Sequence, residues 1–462
     1  MGECKEEDKM IEKPILLGKL NIINDMYTLM GHMGDVCRID ATAYKVLKLM
    51  DGFRTMAEIA ELADVSKEYL EKIFLLYRGE KKVSVLSDWN RVGWCENCNV
   101  HVSGEICGIC GRKIKKIIFS PPCDPFIGFS EEQKFILNIL QEKFDITLPE
   151  DACFLINNGV RNNVFFWEVE YAGTIILRID FMDTQPNSWE YTFMGQAGTI
   201  NKEKRCILNQ ERIRRSIEAN INNLKKLEND SIAIIAESSA FFKTKPLLYF
   251  SAGKESMVMY SLIKKANIPV NILTVVTGVE FPDDIAFIQK MRKVIESDSL
   301  FEYYFYQDDG EKVINMLNKQ KKLSAEDPWC RVDFKRKLKS KGTEEIYKGD
   351  DFVAYEGSRW YENDFRRRHP KVNFISDYFH QVWVHPLAEW NSFVIWLYIF
   401  KERLPINPVY YKGFQRTTCW LCPIVTPFHL YNSQKYYPEL WNRISECKLD
   451  AFGNDTTHDL AF

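Results

Sequence analysis

The chain lacks a surplus of positive charge. Its 61 lysines and arginines face 64 aspartates and glutamates, a formal net charge of −3. That excludes a chain-wide nucleic-acid-binding character and leaves only local patches. It also lacks any apolar run of the ~18–20 residues a membrane span needs. The longest, at 393–400, is too short and sits among polar residues. The opening MGECKEEDKMIEK has no apolar stretch of the secretory kind. There is no internal repeat and no long low-complexity tract. These absences predict a soluble, cytoplasmic protein without a membrane partner. What is present points the same way. Apolar residues make up 46% and aromatics 13%, enough for buried cores and too much for a disordered chain. At 462 residues the chain is too long for one ordinary domain.

Thirteen cysteines are the first informative count. The number is odd and the context reads as cytosolic, which favours metal or cluster ligation over disulfides. Six fall in CxxC pairs: Cys95/Cys98, Cys107/Cys110 and Cys419/Cys422. The first two pairs, within WCENCNVHVSGEICGICGRK, have the spacing of a zinc ribbon. Two knuckles bring four thiolates to one point, and zinc satisfies four thiolates with no open position. Such a site is usually a structural staple; binding of nucleic acid or a partner is the alternative reading. Cys153, Cys206 and Cys447 read as plain buried thiols.

Five parts are expected. Residues 1–90 form a helical, winged-helix-like domain, with Asp51-Gly52 breaking the first helix and Thr55 and Ser66 capping the next two. Its DG-x-x-T-x-x-EIA pattern resembles winged-helix domains that hold leader peptides in peptide-modifying enzymes, although a plain packing role fits it better. Residues 91–115 form the ribbon, 116–200 a small α+β domain, and 201–245 a helical linker. Residues 246–462 form the catalytic domain. On the linker, Arg212, Arg214, Arg215, Lys225 and Lys226 read as a solvated face, with phosphate contact as the alternative.

The sequence LLYFSAGKES reads as strand, tight polar loop, helix. The loop, Ser251-Ala252-Gly253-Lys254-Glu255-Ser256, has the chemistry of a phosphate site. Backbone N–H groups at a helix start attract anions, and small residues let them approach. Lys254 adds charge, and Ser251 and Ser256 add hydroxyls. It is not a Walker A loop, since GxxxxGK[ST] is absent. A second strand and helix follow in VNILTVVTGVEFPDD, implying a βαβ unit and a parallel sheet. Ligands sit at the C-terminal strand ends of such sheets, which would place Thr277, Gly278 and Glu280 on the ligand edge beside the loop.

The loop resembles the PP-loop, SGGKDS, of ATP pyrophosphatases, with Ala252 for a glycine and Glu255 for an aspartate. TGVEFPD resembles the second motif of the phosphoadenylylsulfate (PAPS) reductase family. PWCRVDFK (328–335) is similar to that family's WCC-x-x-x-K segment, and EGSRWYENDFRRR (356–368) to its G-x-R-x-x-E-x-x-x-R motif. HPLAEWNSFVIWLYIFKERLPINPVYYKGFQRTTCWLCP (385–423) is similar to its ending. The order of ribbon, small α+β domain and catalytic domain also looks like archaeal proteins of that family. The resemblance covers about 246–430. It implies an α/β, parallel-sheet PP-loop catalytic domain that binds ATP, or PAPS or adenylylsulfate, with Mg²⁺. Lys254, Ser256 and Arg359 become catalytic candidates and Arg416 a second anion ligand, with Lys335 facing the nucleotide. Arg366, Arg367 and Arg368 extend the cationic cluster, and Glu362 could hold an arginine or Mg²⁺. Cluster-bearing members hold [4Fe–4S] by a CC pair and a CxxC. Here Arg331 replaces the second cysteine, leaving Cys330, Cys419 and Cys422 and one open iron. A zinc site, a redox disulfide at 419/422 and inert thiols stay open.

Three functions follow. The first is ATP-dependent sulfur transfer to a substrate such as tRNA, DNA or a peptide, from a separate sulfur donor. The second is PAPS or adenylylsulfate reduction to sulfite, which needs a nucleophilic cysteine. The family's ECG-[IL]-H is reduced here to Glu446-Cys447-Lys448-Leu449. The third is nucleotide or nucleic-acid binding without catalysis. An oligomer is compatible with all three.

Overall fold

The structure is a computed structural model. It describes residues 12–17, 19–23, 26–31, 35–52, 54–80, 82–85, 90–162, 164–183, 185–195, 209–319, 330–374, 380–417, 419–420, 422 and 425–446. Cys206 and Cys447, with the rest of the 447–449 motif, lie outside these residues.

The first unit holds β1 (Pro14–Leu16), β2 (Lys19–Ile23), β3 (Met26–Met30) and β4 (Val36–Arg38). It continues with α1 (Ala41–Leu49), α2 (Met56–Ala63), α3 (Lys67–Gly79) and β5 (Val83–Val85). The cap residues act as their chemistry predicts. Thr55 and Glu58 form a reciprocal capping box, and Ser66 accepts from Tyr69 N. The antiparallel sheet β2–β3–β4 was not legible in sequence, because strands of three to five residues carry too little alternation. The unit has its own core around Leu29, Val46, Ile59 and Leu70. It docks through β1 and the residue that follows it: Ile15 and Leu17 pack on Trp360 and Ala388.

The ribbon is a three-stranded sheet of β6 (Val92–Cys95), β7 (Val100–Ser103) and β8 (Lys116–Phe119), in order β7-β6-β8. Next come β9 (Phe126–Ile127), α4 (Ser130–Phe144), β10 (Phe154–Arg161), β11 (Val164–Tyr171), β12 (Thr174–Phe181) and β13 (Glu190–Phe193). The strands form one antiparallel sheet, β13-β12-β11-β10-β9. Strand β9 pairs β10 only at Leu155 and Ile156, so β10 beyond that point is an edge.

Helix α5 (Gln210–Ser239) is 30 residues long and buries Ala219, Leu224, Leu227 and Ile235. Its basic residues do not form one solvated face. Arg212 is buried and donates to the Asn99 carbonyl, and Arg215 donates to Cys98 O at 3.0 Å. Arg214 pairs with Glu211 and Glu218 on the surface. The helix is therefore a support for the ribbon, holding its knuckle through two guanidinium groups.

The remaining chain runs β14 (Leu247–Tyr249), α6 (Lys254–Ala266), β15 (Val270–Val276), α7 (Pro282–Glu296), β16 (Phe301–Gln307), α8 (Gly310–Lys319), α9 (Lys337–Tyr347) and β17 (Phe352–Tyr355). It ends with α10 (Asp364–Arg367), β18 (Val372–Asn373), β19 (Gln381–Val384), α11 (Ser392–Lys401), α12 (Pro427–Tyr436) and α13 (Pro438–Glu446). The sheet order is β16-β15-β14-β17-β19-β18; every pair is parallel except β18–β19. This is the expected α/β architecture. Strand β14 has β15 on one side and β17 on the other, so the strand order reverses beside it. A crevice opens at that point. Helix α11 is buried from Ser392 to Ile399, because it lies in the core shared with the antiparallel sheet. No described helix is long and apolar enough to cross a membrane.

Candidate functional site

The Ser251–Ser256 loop joins β14 to α6 at that crevice. Ala252 is fully buried at φ 55°, in the left-handed region. A side chain there costs roughly 1–2 kcal/mol, which is why a glycine suits the position better. Gly253 has no such latitude. A Cβ would come within 2.7 Å of Thr417 Oγ1 and 3.3 Å of Ser251 Oγ. The helix start is held by Lys254 N donating to Tyr410 OH at 2.8 Å. Ser256 Oγ donates to Gly253 O at 3.0 Å and lies 3.5 Å from Ser251 Oγ. Lys254 Nζ reaches Gln415 O at 3.1 Å and Glu255 Oε1 at 2.9 Å. Small residues, hydroxyls, an ammonium and a helix N-terminus thus meet in one turn, the composition of an anion site.

The loop opens into a cavity of 660 Å³. Seven basic and five acidic side chains line it, a positive surplus suited to polyphosphate. Arg359 is only 3% exposed and fully engaged. It meets Asp124 at 2.9 Å, Glu255 at 3.1 Å and Ser392 Oγ at 3.1 Å. It therefore braces the wall through Asp124, a residue 235 positions earlier in sequence. Burial pushes the Glu255 carboxyl up, but Lys254 and Arg359 outweigh it and hold the group at about 2. Arg366 binds Ser358 Oγ at 2.7 Å and Glu362 at 3.0 Å, so Glu362 holds an arginine. Arg367 is buried in the same wall.

Three cations remain for a ligand. Arg416, Lys335 and Lys339 line the cavity, and none makes a hydrogen bond or ion pair among the described residues. Lys339 stands 4.0 Å over the Tyr249 ring. Burial lowers its ammonium to about 8, with the Glu356 carboxylate opposing the shift. Sequence reading passed over Lys339, Asp124, Tyr410, Cys123, Glu132 and Asn157, all of which line the cavity. Only Lys339 carried a signal, one helical turn beyond Lys335. Cys123 is a thiol pushed up to about 11 by burial and then by Glu168.

Thr277, Gly278 and Glu280 do not line this cavity. The Glu280 carboxylate folds back to accept from Thr277 N and Gly278 N, both at 3.0 Å, and from Thr277 Oγ1 at 2.9 Å. The turn is joined to the second CxxC: Trp420 N donates to Val279 O at 2.9 Å, and Cys419 Sγ lies 3.7 Å from Thr277 Oγ1. Cys330 and Cys419 border one apolar cluster with Val279, Phe281 and Trp420. Burial, then Cys422, pushes the Cys330 thiol up to about 11; burial, then Glu280, pushes Cys419 higher still. Cys330, Cys419 and Cys422 are not drawn within 4.8 Å of one another, the spacing of a single-ion site. A four-iron cube is itself several Å across and takes thiolates standing farther apart.

The ribbon cysteines do converge. The sulfurs of Cys95, Cys98, Cys107 and Cys110 lie within 4.8 Å of one another and can hold a metal ion. Three of the four are buried. Gly108 N donates to Ala219 O of α5 at 2.7 Å, fixing the second knuckle to the same helix that holds the first. Cys153 is a buried core thiol.

Residues 245–425 match the phosphoadenosine phosphosulfate reductase domain. A Methanocaldococcus jannaschii protein, MJ0066, is 23% identical over 447 residues, covering 76% of this chain and 90% of its own. Sulfate adenylyltransferase subunit 2 of Acinetobacter baumannii is 29% identical over 221 residues, covering 42% of this chain and 69% of its own. A solved phosphoadenylyl-sulfate reductase from Candida auris aligns with TM-score 0.34 and 16% identity, over 46% of this chain and 96% of that one. With the Ser251–Ser256 loop at the head of α6 and a parallel sheet beneath it, the segment 245–425 is the part of the chain that matches the phosphoadenosine phosphosulfate reductase domain family.

Proposed function

We propose that this domain is an ATP pyrophosphatase that adenylylates an acceptor oxygen and then lets sulfur replace it. The observation carrying the reading is the loop at Ser251–Ser256, which opens into a cavity where Arg416, Lys335 and Lys339 make no hydrogen bond or ion pair among the described residues. The Lys254 ammonium and the α6 N-terminal amides would hold the β- and γ-phosphates, with Mg²⁺ arriving on the nucleotide. Arg416, Lys335 and Lys339 would neutralise charge that develops at the α-phosphate. The acceptor oxygen attacks the α-phosphorus, and the bond to the bridging oxygen breaks. Pyrophosphate leaves with the electron pair, and the acceptor's proton passes to solvent. Hydrosulfide from a sulfur donor then forms the carbon–sulfur bond as AMP departs. Adenylyl transfer is also what the name of the Acinetobacter relative describes, there to sulfate.

Two metals complete the proposal. Zinc fits the ribbon, because bonds of about 2.3 Å in a tetrahedron put thiolates about 3.8 Å apart, and Cys95 and Cys110 already stand at 3.6 Å. An iron–sulfur cluster is assigned to Cys330, Cys419 and Cys422, where it would supply an open iron for sulfur. The test is anaerobic purification, metal and sulfide analysis, and a pyrophosphate assay with Mg-ATP. Pyrophosphate release that falls by at least about 100-fold in Ser256→Ala and Lys254→Ala, the loss expected for a transition-state contact, supports the reading. Sulfite release from PAPS without pyrophosphate from ATP overturns it in favour of the reductase. Cys123 favours that second reading, being a cysteine within the cavity, and Cys123→Ser would then abolish sulfite release. Stoichiometric ATP binding with neither product leaves the binding protein.

A further inference from the structure

Nucleotide binding as proposed uses only part of the cavity. Tyr249, Leu273 and Val275 of the parallel sheet give it an apolar stretch for an adenine. A second part of its wall comes from the antiparallel sheet and α4, through Phe129, Glu132, Asn157 and Phe165. Gln415 joins them, since Asn158 Nδ2 donates to its Oε1 at 2.7 Å.

Three polar atoms of this wall have no partner among the described residues: Glu132 Oε2, Asn157 Oδ1 and Gln415 Nε2. Glu132 is 1% exposed and Asn157 3%. Buried polar groups are as a rule satisfied, so three orphans around one cavity describe the complement of a ligand. Burial raises the Glu132 carboxyl to about 8, so at neutral pH it is an uncharged O–H donor. The wall then offers donors from Glu132 and Gln415, an acceptor from Asn157, and aromatic surfaces. It offers no charge to pair with an ionic group, which would lose its hydration there uncompensated.

We propose that this wall is the acceptor subsite and that it takes an uncharged, planar amide or heterocyclic lactam. The ligand's C=O accepts from Glu132 or Gln415, and its N–H donates to Asn157 Oδ1. The inference rests on the ATP-activation reading, which requires an acceptor oxygen in this cavity.

The test is binding of uridine to the full chain by ligand-observed NMR, with 3-methyluridine as the probe lacking the N–H. Both are measured with and without a saturating non-hydrolysable ATP analogue and Mg²⁺. The expected result is millimolar uridine binding that survives the analogue and weakens about tenfold on methylation, the loss of one buried hydrogen bond. Asn157→Ala should weaken uridine similarly and remove the difference between the probes, with analogue affinity unchanged. Gln415→Ala, at a half-buried loop position, should weaken uridine several-fold and serves if Asn157→Ala fails to fold. Absence of uridine binding overturns the inference, as does binding indifferent to methylation. Displacement of uridine by the analogue, with Asn157→Ala weakening both, would assign the wall to adenine instead. Loss of the ATP analogue from the wild-type chain strikes the proposed function; loss of uridine alone strikes only this subsite.

Discussion

The two cysteine sets of this chain are built in opposite ways. The ribbon draws four thiols from a span of sixteen residues, Cys95 to Cys110, and closes them to within 4.8 Å. Cys330 stands 89 positions before Cys419 of the second CxxC, on a different segment around one apolar cluster. The first is a local turn geometry braced from behind by α5. The second depends on the parallel sheet bringing distant segments together. Similar CxxC text thus marks four converging thiols in one place and, in the other, a pair whose Cys419 meets a distant cysteine across an apolar cluster.

Breaking each set should separate them. Cys107→Ser should release the ribbon metal and cost at least about 4 kcal/mol, the scale of a lost structural metal. Denaturant unfolding and metal analysis would read this. Cys422→Ser should leave that metal in place and change stability by no more than about 1 kcal/mol.

A second long-range construction is the ion network of Arg359, Glu255 and Asp124. Arg359→Met should cost about 3–5 kcal/mol, because it strands two carboxylates in a buried wall. The same network predicts an acid limit. Glu255 is held at about 2 against an ordinary 4.5, so its contribution is complete above about pH 4.5. It is lost as pH falls towards 2, and Glu255→Gln should flatten that part of the stability–pH curve.

The support behind the ribbon sharpens the comparison further. Arg212→Ala should destabilise by about 1.5–3 kcal/mol, since it removes a buried charged donor from the Asn99 carbonyl. Arg214→Ala, two residues away on the exposed side, should leave stability almost unchanged, because solvent screens its ion pairs. The smallest expected effect is a gain. Ala252→Gly relieves the φ 55° conformation and should stabilise the loop by up to about 1 kcal/mol, read as a thermal shift.

The features legible in sequence were those whose geometry closes within a few residues. Thr55 and Ser66 cap helices because side chain and amide are three residues apart. The alternation of strand, small-residue loop and helix placed the Ser251–Ser256 turn at the head of α6, and the parallel sheet followed from the βαβ order. Ribbon spacing foretold a four-thiol site. The Thr277–Glu280 turn was legible as a turn, but its direction was not. Strand-end position alone pointed to the cavity, whereas the fold turned it to Cys419 through the Trp420–Val279 hydrogen bond.

Local sequence therefore determined the ribbon, the caps, the Ser251–Ser256 turn and the α/β class, because steric and hydrogen-bonding rules operate over short separations. Tertiary structure alone decided that Arg212 supports the ribbon and that Asp124 engages Arg359. It also decided that Glu132 of α4 and Asn157 of the antiparallel sheet line the cavity beside the Ser251–Ser256 loop. No spacing rule connects residues 235 positions apart. Their meeting is set by which apolar faces share a core, and here the antiparallel sheet and the parallel sheet share one.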